Sequence, residues 1–329
     1  MGFILGSEMK VRAGDIEVYK GTKKYGFLKV AGTPPANFKI PVVVVNGEKE
    51  GPTLGIIAGI HGCEYSGMEA VIRICNELDP AKLHGVIIAI PVANVPAFQS
   101  RTPHVCPIDN VDLMNAFPGN MEGSIGYRIA YTLFNEVILK SDYLIDIHGG
   151  DLHEELMPSG YVICSESKNE EINKKSEMLA SLFDTEYIWI LKFKGSCTDV
   201  AIEQGMPAII PEAGGVGAKM DENAIKFYTD GLLNVMKYLK MIQGIPRIKA
   251  GQKKVYGMTL VKSSSWGFFH PRVRAGKQVS ENEVLGETRD LLGKKVEEVL
   301  SPIDGIVMLS TTHTAVNPED FLMVIATFA

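Results

Sequence analysis

The sequence lacks the features of a disulfide-rich, membrane-spanning or nucleic-acid-binding protein. Its five cysteines, at positions 63, 75, 106, 164 and 197, form no Cys-x-x-Cys pair, which favours reduced thiols in a cytoplasmic compartment over a disulfide framework. No apolar run reaches the ~20 residues of a membrane span, and the N-terminus lacks the basic start and long apolar core of a signal peptide. The net charge of −6 gives no basic surface for nucleic acid.

What is present is the composition of a globular chain with room for a large domain and a smaller one: 329 residues, 46% of them hydrophobic. From residue 53 onward, apolar strands alternate with helical patterns, which predicts an α/β fold with a mixed, largely parallel sheet and helices on both faces. Past Gly244-Ile245-Pro246 no stretch keeps a helical period. We therefore predict a first domain over residues 1–245, which includes N-terminal strands within 1–50, and a small all-β, barrel-like domain over 246–329.

From residue 53 onward, the first domain is predicted to contain the following strands, helices and loop. Strands are predicted over 53–58, 86–92, 143–147, 160–164, 187–191 and 207–211. Helices are predicted over 70–78, 124–139 (with Ser124 as the N-terminal cap), 169–183, 199–204 and 221–241. A polar, proline-bearing loop is predicted over 94–119.

Three potential metal ligands stand directly after predicted strands. His61 and Glu64 follow the strand over 53–58, and His148 follows the strand over 143–147. A catalytic zinc typically takes three protein ligands from His, Glu, Asp or Cys, and the ends of parallel strands meet at one sheet edge. Alone, a His-x-x-Glu pair is more often an ordinary polar pair and a histidine after a strand is more often a turn residue, but both histidines here are flanked by glycines that allow close backbone approach. The joint pattern predicts a metal site.

Further polar residues accompany this pattern. Asp146 lies two residues before His148 on the same strand face, where it could orient an imidazole. Glu212 follows the strand over 207–211 and could act as a general base beside a metal, or could merely cap the next helix. Arg101, in the polar loop, could stabilise an oxyanion or hold a carboxylate, and Asn115 is a further candidate there.

The ordered motifs resemble those of the succinylglutamate desuccinylase/aspartoacylase family, relatives of the zinc carboxypeptidases. The matching stretches are Ile40-Pro41-Val42, Asn46-Gly47, Gly51-Pro52, AGIHGCEYSGMEA, Pro107-Ile108-Asp109, Asn115, Phe117-Pro118-Gly119, DYLIDIHGGD and PEAGG. The resemblance implies one zinc ion per chain, bound by His61, Glu64 and His148, with Glu212 as the general base. It also implies hydrolysis of an amide in a small N-acylated amino acid or related compound, with Arg101 polarising the carbonyl.

One motif departs from the family pattern, and the departure affects which substrate can be predicted. The family usually has Asn-Arg before Phe-Pro-Gly, where both side chains bind a substrate carboxylate. Here Asn115 is present, but Ala116 stands where the arginine is expected, and an alanine offers no bidentate contact to a carboxylate. The sequence therefore predicts the zinc chemistry but leaves the acyl group and the amine open.

The C-terminal segment is similar in pattern to biotinyl and lipoyl carrier domains. The similar stretches are residues 273–279, 301–305 and 320–322. A carrier needs a lysine in a Met-Lys-Met-like context, and the residues around Lys294 and Lys295 do not match it. A structural or gating role beside the active site is the interpretation we adopt.

Two alternatives to the deacylase interpretation stay open at this point. One is a metallocarboxypeptidase that acts on short or modified peptides, and the other is a non-catalytic ligand-binding relative. The expected partner is a small-molecule substrate, with no nucleic acid and no membrane, and a homo-oligomer remains open.

Overall fold

The computed structural model describes residues 10–32, 38–215 and 219–328, so parts of the predicted N-terminal strand region lie outside the described residues. The strands are β1 (Lys10–Ala13), β2 (Ile16–Tyr19), β3 (Thr22–Lys29), β4 (Lys39–Asn46), β5 (Lys49–Ala58), β6 (His84–Ile90), β7 (Tyr143–Ile147), β8 (Glu154–Leu156), β9 (Tyr161–Cys164), β10 (Tyr187–Ile190), β11 (Ala208–Glu212), β12 (Lys253–Lys262), β13 (Gly267–Pro271), β14 (Gln278–Val279), β15 (Val284–Arg289), β16 (Lys295–Leu300), β17 (Gly305–Thr311), β18 (Ala315–Val316) and β19 (Phe321–Phe328). The helices are α1 (Tyr65–Glu77), α2 (Val95–Ser100), α3 (Ile125–Glu136), α4 (Glu170–Ala180), α5 (Cys197–Glu203) and α6 (Glu222–Tyr238), with short 3₁₀ turns at Leu113–Asn115 and Ile138–Lys140.

One mixed sheet runs through the centre of the molecule. Its strand order is β14-β17-β19-β12-β10-β9-β11-β7-β5-β6-β4-β3, and β8 pairs with β17. Strands β6, β5, β7 and β11 are parallel to one another, and so are β9, β10 and β12. β11 joins the two groups, because residues 208–209 pair parallel with β7 and residues 210–212 pair antiparallel with β9. The predicted α/β fold with a mixed sheet is confirmed, and the parallel pairings are those of the strands at the centre of the sheet.

Helices cover both faces of this sheet, as predicted. Side chains of a strand point alternately to its two faces, and β5 shows the result: Ile57 packs in one core with Ile129 of α3. Its neighbour Ile56 packs in the other core with Val71 of α1 and Leu232 of α6. Fully burying such an aliphatic side chain contributes roughly 1.5–3 kcal/mol. Among the described residues, no helix is long and apolar enough to cross a membrane.

The strands after residue 245 form two sheets around a third core. β12, β14, β17 and β19 extend the central sheet, whereas β16, β15, β13 and β18 form a separate four-stranded sheet. On β17 and β19, Ile306 and Ala326 pack into the core that contains Ile57 and Ile129. Val307 and Ile325 pack with Phe269 in the third core. The C-terminal segment is therefore all-β, as predicted, and the parallel pairing of β12 with β10 joins it to the strands before residue 245. The domain boundary near residue 245 stays a prediction.

Two local predictions were wrong in detail. The stretch predicted as loop contains α2, which Asn94 caps by accepting a hydrogen bond from the Ala97 N–H at 3.2 Å. Ser124 stands at the N-cap position of α3 but makes no side-chain cap hydrogen bond. The carboxylate of Asp109 accepts the Gly126 N–H at 2.7 Å instead. A residue from a preceding loop thus satisfies one of the free N–H groups at the helix start, which local sequence patterns do not reveal.

Candidate metal centre

Parallel strand ends bring the predicted ligands to one edge of the sheet. β5 and β7 lie in register with Ala58 opposite Ile147, so His61 and His148 follow neighbouring strand ends. Glu64 occupies the N-cap position of α1 without capping it, which leaves its carboxylate free for the centre. Gly62 permits the turn between them, because a Cβ there would lie 2.4 Å from the carbonyl carbon of Ala97. The predicted need for glycine beside the ligands has a steric cause at this position.

The three predicted ligands form a compact cluster. Atoms of His61, Glu64 and His148 that could bind a metal all lie within 4.8 Å of one another. The Nδ1 of His61 is 2.6 Å from Glu64 Oε1, and the Nδ1 of His148 is 3.2 Å from Glu64 Oε2. The two imidazole rings meet edge to face with centroids 4.9 Å apart. Two imidazoles and one carboxylate are one of the donor sets that catalytic zinc sites use.

Buried polar atoms in this cluster fit a bound cation. The Glu64 Oε2 and His61 Nε2 atoms are buried without a hydrogen-bond partner among the described residues. Burial disfavours the charge of Glu64, but the charges of His61 and His148 lower its pKa to about 2. Burial likewise lowers the pKa of His61, yet the Glu64 carboxylate raises it on balance to about 10. Without a metal, protons supply the positive charge that the carboxylate requires, and a divalent cation can replace them.

Asp146 contacts His148 as the sequence suggested. Its Oδ2 accepts a hydrogen bond from the His148 Nε2 at 3.1 Å, so the Nδ1 of that ring is left to face Glu64. The same Oδ2 accepts a second hydrogen bond, from the thiol of Cys197 on α5 at 2.9 Å. Asp146 is fully buried. This arrangement fixes the ring orientation and tautomer of His148, and it gives buried Cys197 a role that its sequence position did not indicate.

Glu212 lies at the end of β11, beside His148. The backbone of Glu212 forms an isolated parallel bridge with His148, and its side chain lines the cavity next to the ligands. Tyr228 of α6 connects the backbone after β7 to the backbone after β11. Its buried hydroxyl lies 2.5 Å from the His148 carbonyl and accepts the Ala213 N–H at 2.6 Å. Burial raises the pKa of Glu212 to about 8. Tyr228 is a positioning residue that the sequence reasoning missed, since nothing in its local pattern distinguishes it from other core residues of α6.

A cavity of about 240 Å³ adjoins the metal centre. Its polar wall contains Asp112, whose Oδ1 lies 3.5 Å from the His61 Nε2, and Asn115, whose amide donates to Asp112 at 2.8 Å. Its apolar wall includes Trp189, together with Met258 of β12 and Leu309 of β17. The C-terminal strands therefore contribute directly to the cavity.

Arg101 and Ala116 do not line this cavity. Arg101 ends α2 in the left-handed conformation, with φ 54°, and its side chain is exposed. Ala116 is buried, whereas its neighbours Met114 and Asn115 line the cavity. None of the described residues that line the cavity is a lysine or an arginine. The missing cation in the wall is therefore not due to Ala116 alone. The role of Arg101 stays a prediction.

Comparison with known proteins places these features in a family. The family model described as the succinylglutamate desuccinylase/aspartoacylase catalytic domain matches residues 50–239. The chain is 26% identical over 321 residues to the N-alpha-acetyl-L-2,4-diaminobutyric acid deacetylase of Halomonas elongata, covering 92% of this chain and 91% of that protein.

Solved structures share the fold. The succinylglutamate desuccinylase/aspartoacylase from Rhodobacter sphaeroides superposes with a TM-score of 0.83 at 22% identity, covering 93% of this chain and 95% of that one. The product-bound ectoine utilization protein EutE (DoeB) from Ruegeria pomeroyi gives a TM-score of 0.84 at 21% identity, with the same coverage of 93% and 95%. The family model spans more than half of the 329 residues and includes the three clustered ligands and Glu212. The chain belongs to the succinylglutamate desuccinylase/aspartoacylase family, as its sequence motifs predicted.

Proposed function

We propose that this chain hydrolyses the amide bond of a small N-acylated amino acid or related compound, with one zinc ion on His61, Glu64 and His148 and with Glu212 as the general base. The observation that carries the proposal is the convergence of three ligand atoms beside a cavity that Glu212 also lines. Family membership supports it, because the matching family model is named after a desuccinylase and an acylase.

The residues around the centre suit amide hydrolysis. A bound zinc ion would supply a water of lowered pKa, ~7 instead of ~15.7, and a Lewis acid for the amide carbonyl. Glu212 would accept a proton from the attacking water and deliver it to the departing amine. Its raised pKa supports this role, because a general base works best when its pKa lies near the working pH. Tyr228 holds the backbone beside Glu212, so the carboxylate keeps its position relative to His148.

The cavity suits a small substrate that carries an ammonium group. Its volume of about 240 Å³ is below the ~300–1,000 Å³ of most ligand pockets, which suits a compound of amino-acid size better than a peptide. Its described lining residues include Asp112 and Glu154 but no Lys or Arg, and an acidic wall attracts cations. The Halomonas elongata relative is by name a deacetylase of N-alpha-acetyl-L-2,4-diaminobutyric acid. We therefore propose N-acetylated diamino acids as the first substrate class to test.

A hydrolysis screen on zinc-loaded protein tests this function. The panel contains N-acetyl diamino acids, N-acetyl neutral amino acids, N-succinyl amino acids, N-acetyl amines without an α-carboxylate, and dipeptides, with release of the free amine as the readout. We expect the highest kcat/KM on the N-acetyl diamino acids. Turnover of dipeptides alone would support the metallocarboxypeptidase alternative, and no turnover by zinc-loaded protein would support the non-catalytic one.

Replacement of Glu212 by Gln tests the general base directly. We expect Glu212→Gln to retain zinc and to lose about 10²–10⁴-fold in kcat, the usual contribution of a positioned acid–base group. The matched control is Glu155→Gln, on β8 and outside the residues that line the cavity, for which we expect unchanged turnover. If Glu212→Gln kept wild-type turnover, Glu212 would not be the base.

The remaining expectations stay predictions. They are a cytoplasmic location, the absence of a nucleic-acid partner, the contributions of Arg101 and Asn115 to substrate binding, and the option of a homo-oligomer. Size-exclusion chromatography with light scattering measures the last of these directly.

A further inference from the structure

A second group of potential metal ligands lies next to the proposed zinc centre. His104 of the loop after α2, Asp151 after β7 and Glu154 at the start of β8 have ligand atoms that all lie within 4.8 Å of one another. The rings of His104 and His61 meet edge to face with centroids 5.1 Å apart, so the two groups are neighbours. They share no residue. We call His104, Asp151 and Glu154 the second cluster.

Asp151 is the fully buried member of the second cluster. Its side chain is completely buried, and its Oδ1 accepts the His153 N–H at 2.8 Å. Its Oδ2 has no hydrogen-bond partner among the described residues and lies 3.2 Å from the His104 Nε2. A buried, unsatisfied carboxylate oxygen is destabilising unless a charge or a donor compensates it. A cation bound by both this oxygen and the His104 Nε2 would supply that compensation.

The second cluster brings two carboxyl groups and one imidazole together at the border of two cavities. His104 and Glu154 line both the cavity at the proposed zinc centre and an adjacent cavity of about 460 Å³, and no Lys or Arg occurs among the described lining residues of either. Glu154 Oε1 lies 3.9 Å from the His104 Nε2. Burial, followed by the charge of Asp151, raises the pKa of Glu154 to about 8. Two carboxylates held this close favour a bound cation over mutual repulsion.

We propose that the second cluster binds a second divalent metal ion. One imidazole and two carboxylates suit zinc, which accepts three protein ligands and completes its shell with water. The side chain of His104 is about half exposed, at 49%, and so gives the ion a route from solvent. None of its ligands belongs to the proposed zinc centre, although His104 and Glu154 line the same cavity.

Metal stoichiometry of the full-length chain tests the proposal. Metal-free protein is dialysed against buffered zinc, and bound zinc per chain is measured by mass spectrometry of the metal. We expect two zinc ions in the wild type, one in the His104→Ala/Glu154→Gln double variant, and one in the His61→Ala/His148→Ala double variant. The matched control is His270→Ala, which removes an exposed histidine of β13 and keeps two ions. Circular dichroism of each variant confirms that it is folded.

The outcomes separate this site from the proposed zinc centre. A wild type that binds a single zinc ion overturns the second site. Two ions in folded His104→Ala/Glu154→Gln protein likewise overturn it, because the second ion would then bind elsewhere. If the His61→Ala/His148→Ala variant bound no zinc, the second site would be refuted, because its ligands are unchanged in that variant. The proposed zinc centre would not be contradicted by this result.

Discussion

Replacement of Asp146 by Asn changes one charge at the metal centre with little change of shape. Asp146 Oδ2 accepts hydrogen bonds from both the His148 Nε2 and the Cys197 thiol, while Oδ1 has no partner among the described residues. If the amide oxygen of Asn takes the Oδ2 position, its NH₂ group is buried without an acceptor. If the amide is reversed, the NH₂ group faces two donors. Either orientation leaves a buried donor unsatisfied, at a cost of about 1–3 kcal/mol.

The change also weakens the metal ligand. Without the negative charge on Asp146, His148 becomes a poorer base, and its Nδ1 is no longer held in one tautomer. Losses of such partners reduce metal affinity by about 10–100-fold, which corresponds to ~1.4–2.7 kcal/mol. We therefore expect the zinc dissociation constant of Asp146→Asn to rise by that factor. Competition between the metal-free protein and a chromophoric chelator measures it.

Cys197→Ser is the matched control for this experiment. A serine hydroxyl can donate to Asp146 as the thiol does, and the carboxylate and its contact with His148 remain. We expect this variant to bind zinc within about twofold of the wild type. A dissociation constant for Asp146→Asn that also stays within about twofold would refute the role of Asp146 as the residue that orients His148.

Two further predictions follow from the buried contacts of the centre. Tyr228→Phe leaves the Ala213 N–H without its acceptor, so we expect the free energy of unfolding in denaturant to fall by about 1–3 kcal/mol, and an unchanged value would contradict the role of the hydroxyl. Because the charge of Glu64 outweighs burial and holds the pKa of His61 at about 10 in the metal-free site, zinc must displace a proton from that ring below this pH. The affinity for zinc should therefore rise with pH. Calorimetry at pH 7.5 in buffers of different ionisation enthalpy should show at least one proton released per zinc ion bound, and no release would contradict this prediction.

The convergence of the residues at the candidate metal centre was predictable because each follows a local pattern. His61, His148 and Glu212 lie at or just after the ends of apolar stretches of strand length, and parallel strands end at the same sheet edge. The fold class was predictable for the same reason, since alternating strand and helix periods are a property of short windows. The family resemblance then indicated what chemistry such a cluster serves.

The supporting contacts were not predictable, because they join residues distant in the chain. The thiol of Cys197 reaches Asp146 across 51 positions, and the hydroxyl of Tyr228 reaches the His148 carbonyl across 80. Both depend on how a helix docks on the sheet, and periodicity gives the buried face of a helix but not its partner. The start of α2 is a different case, since Asn94 followed by Pro96 is a helix-start signal that the prediction of a loop overlooked.

Met258 and Leu309, which belong to the last strands of the chain, form part of the cavity wall. This placement has a consequence for synthesis. At ~5–20 residues per second, roughly 100 residues separate Glu212 from Leu309, so the ribosome completes the wall ~5–20 s after the last residue of the proposed catalytic set. During that interval β10 presents an unpaired edge until β12 arrives, and the growing chain exposes apolar surface of its central sheet. The final quarter of the chain thus both covers the open edge of β10 and completes the cavity wall.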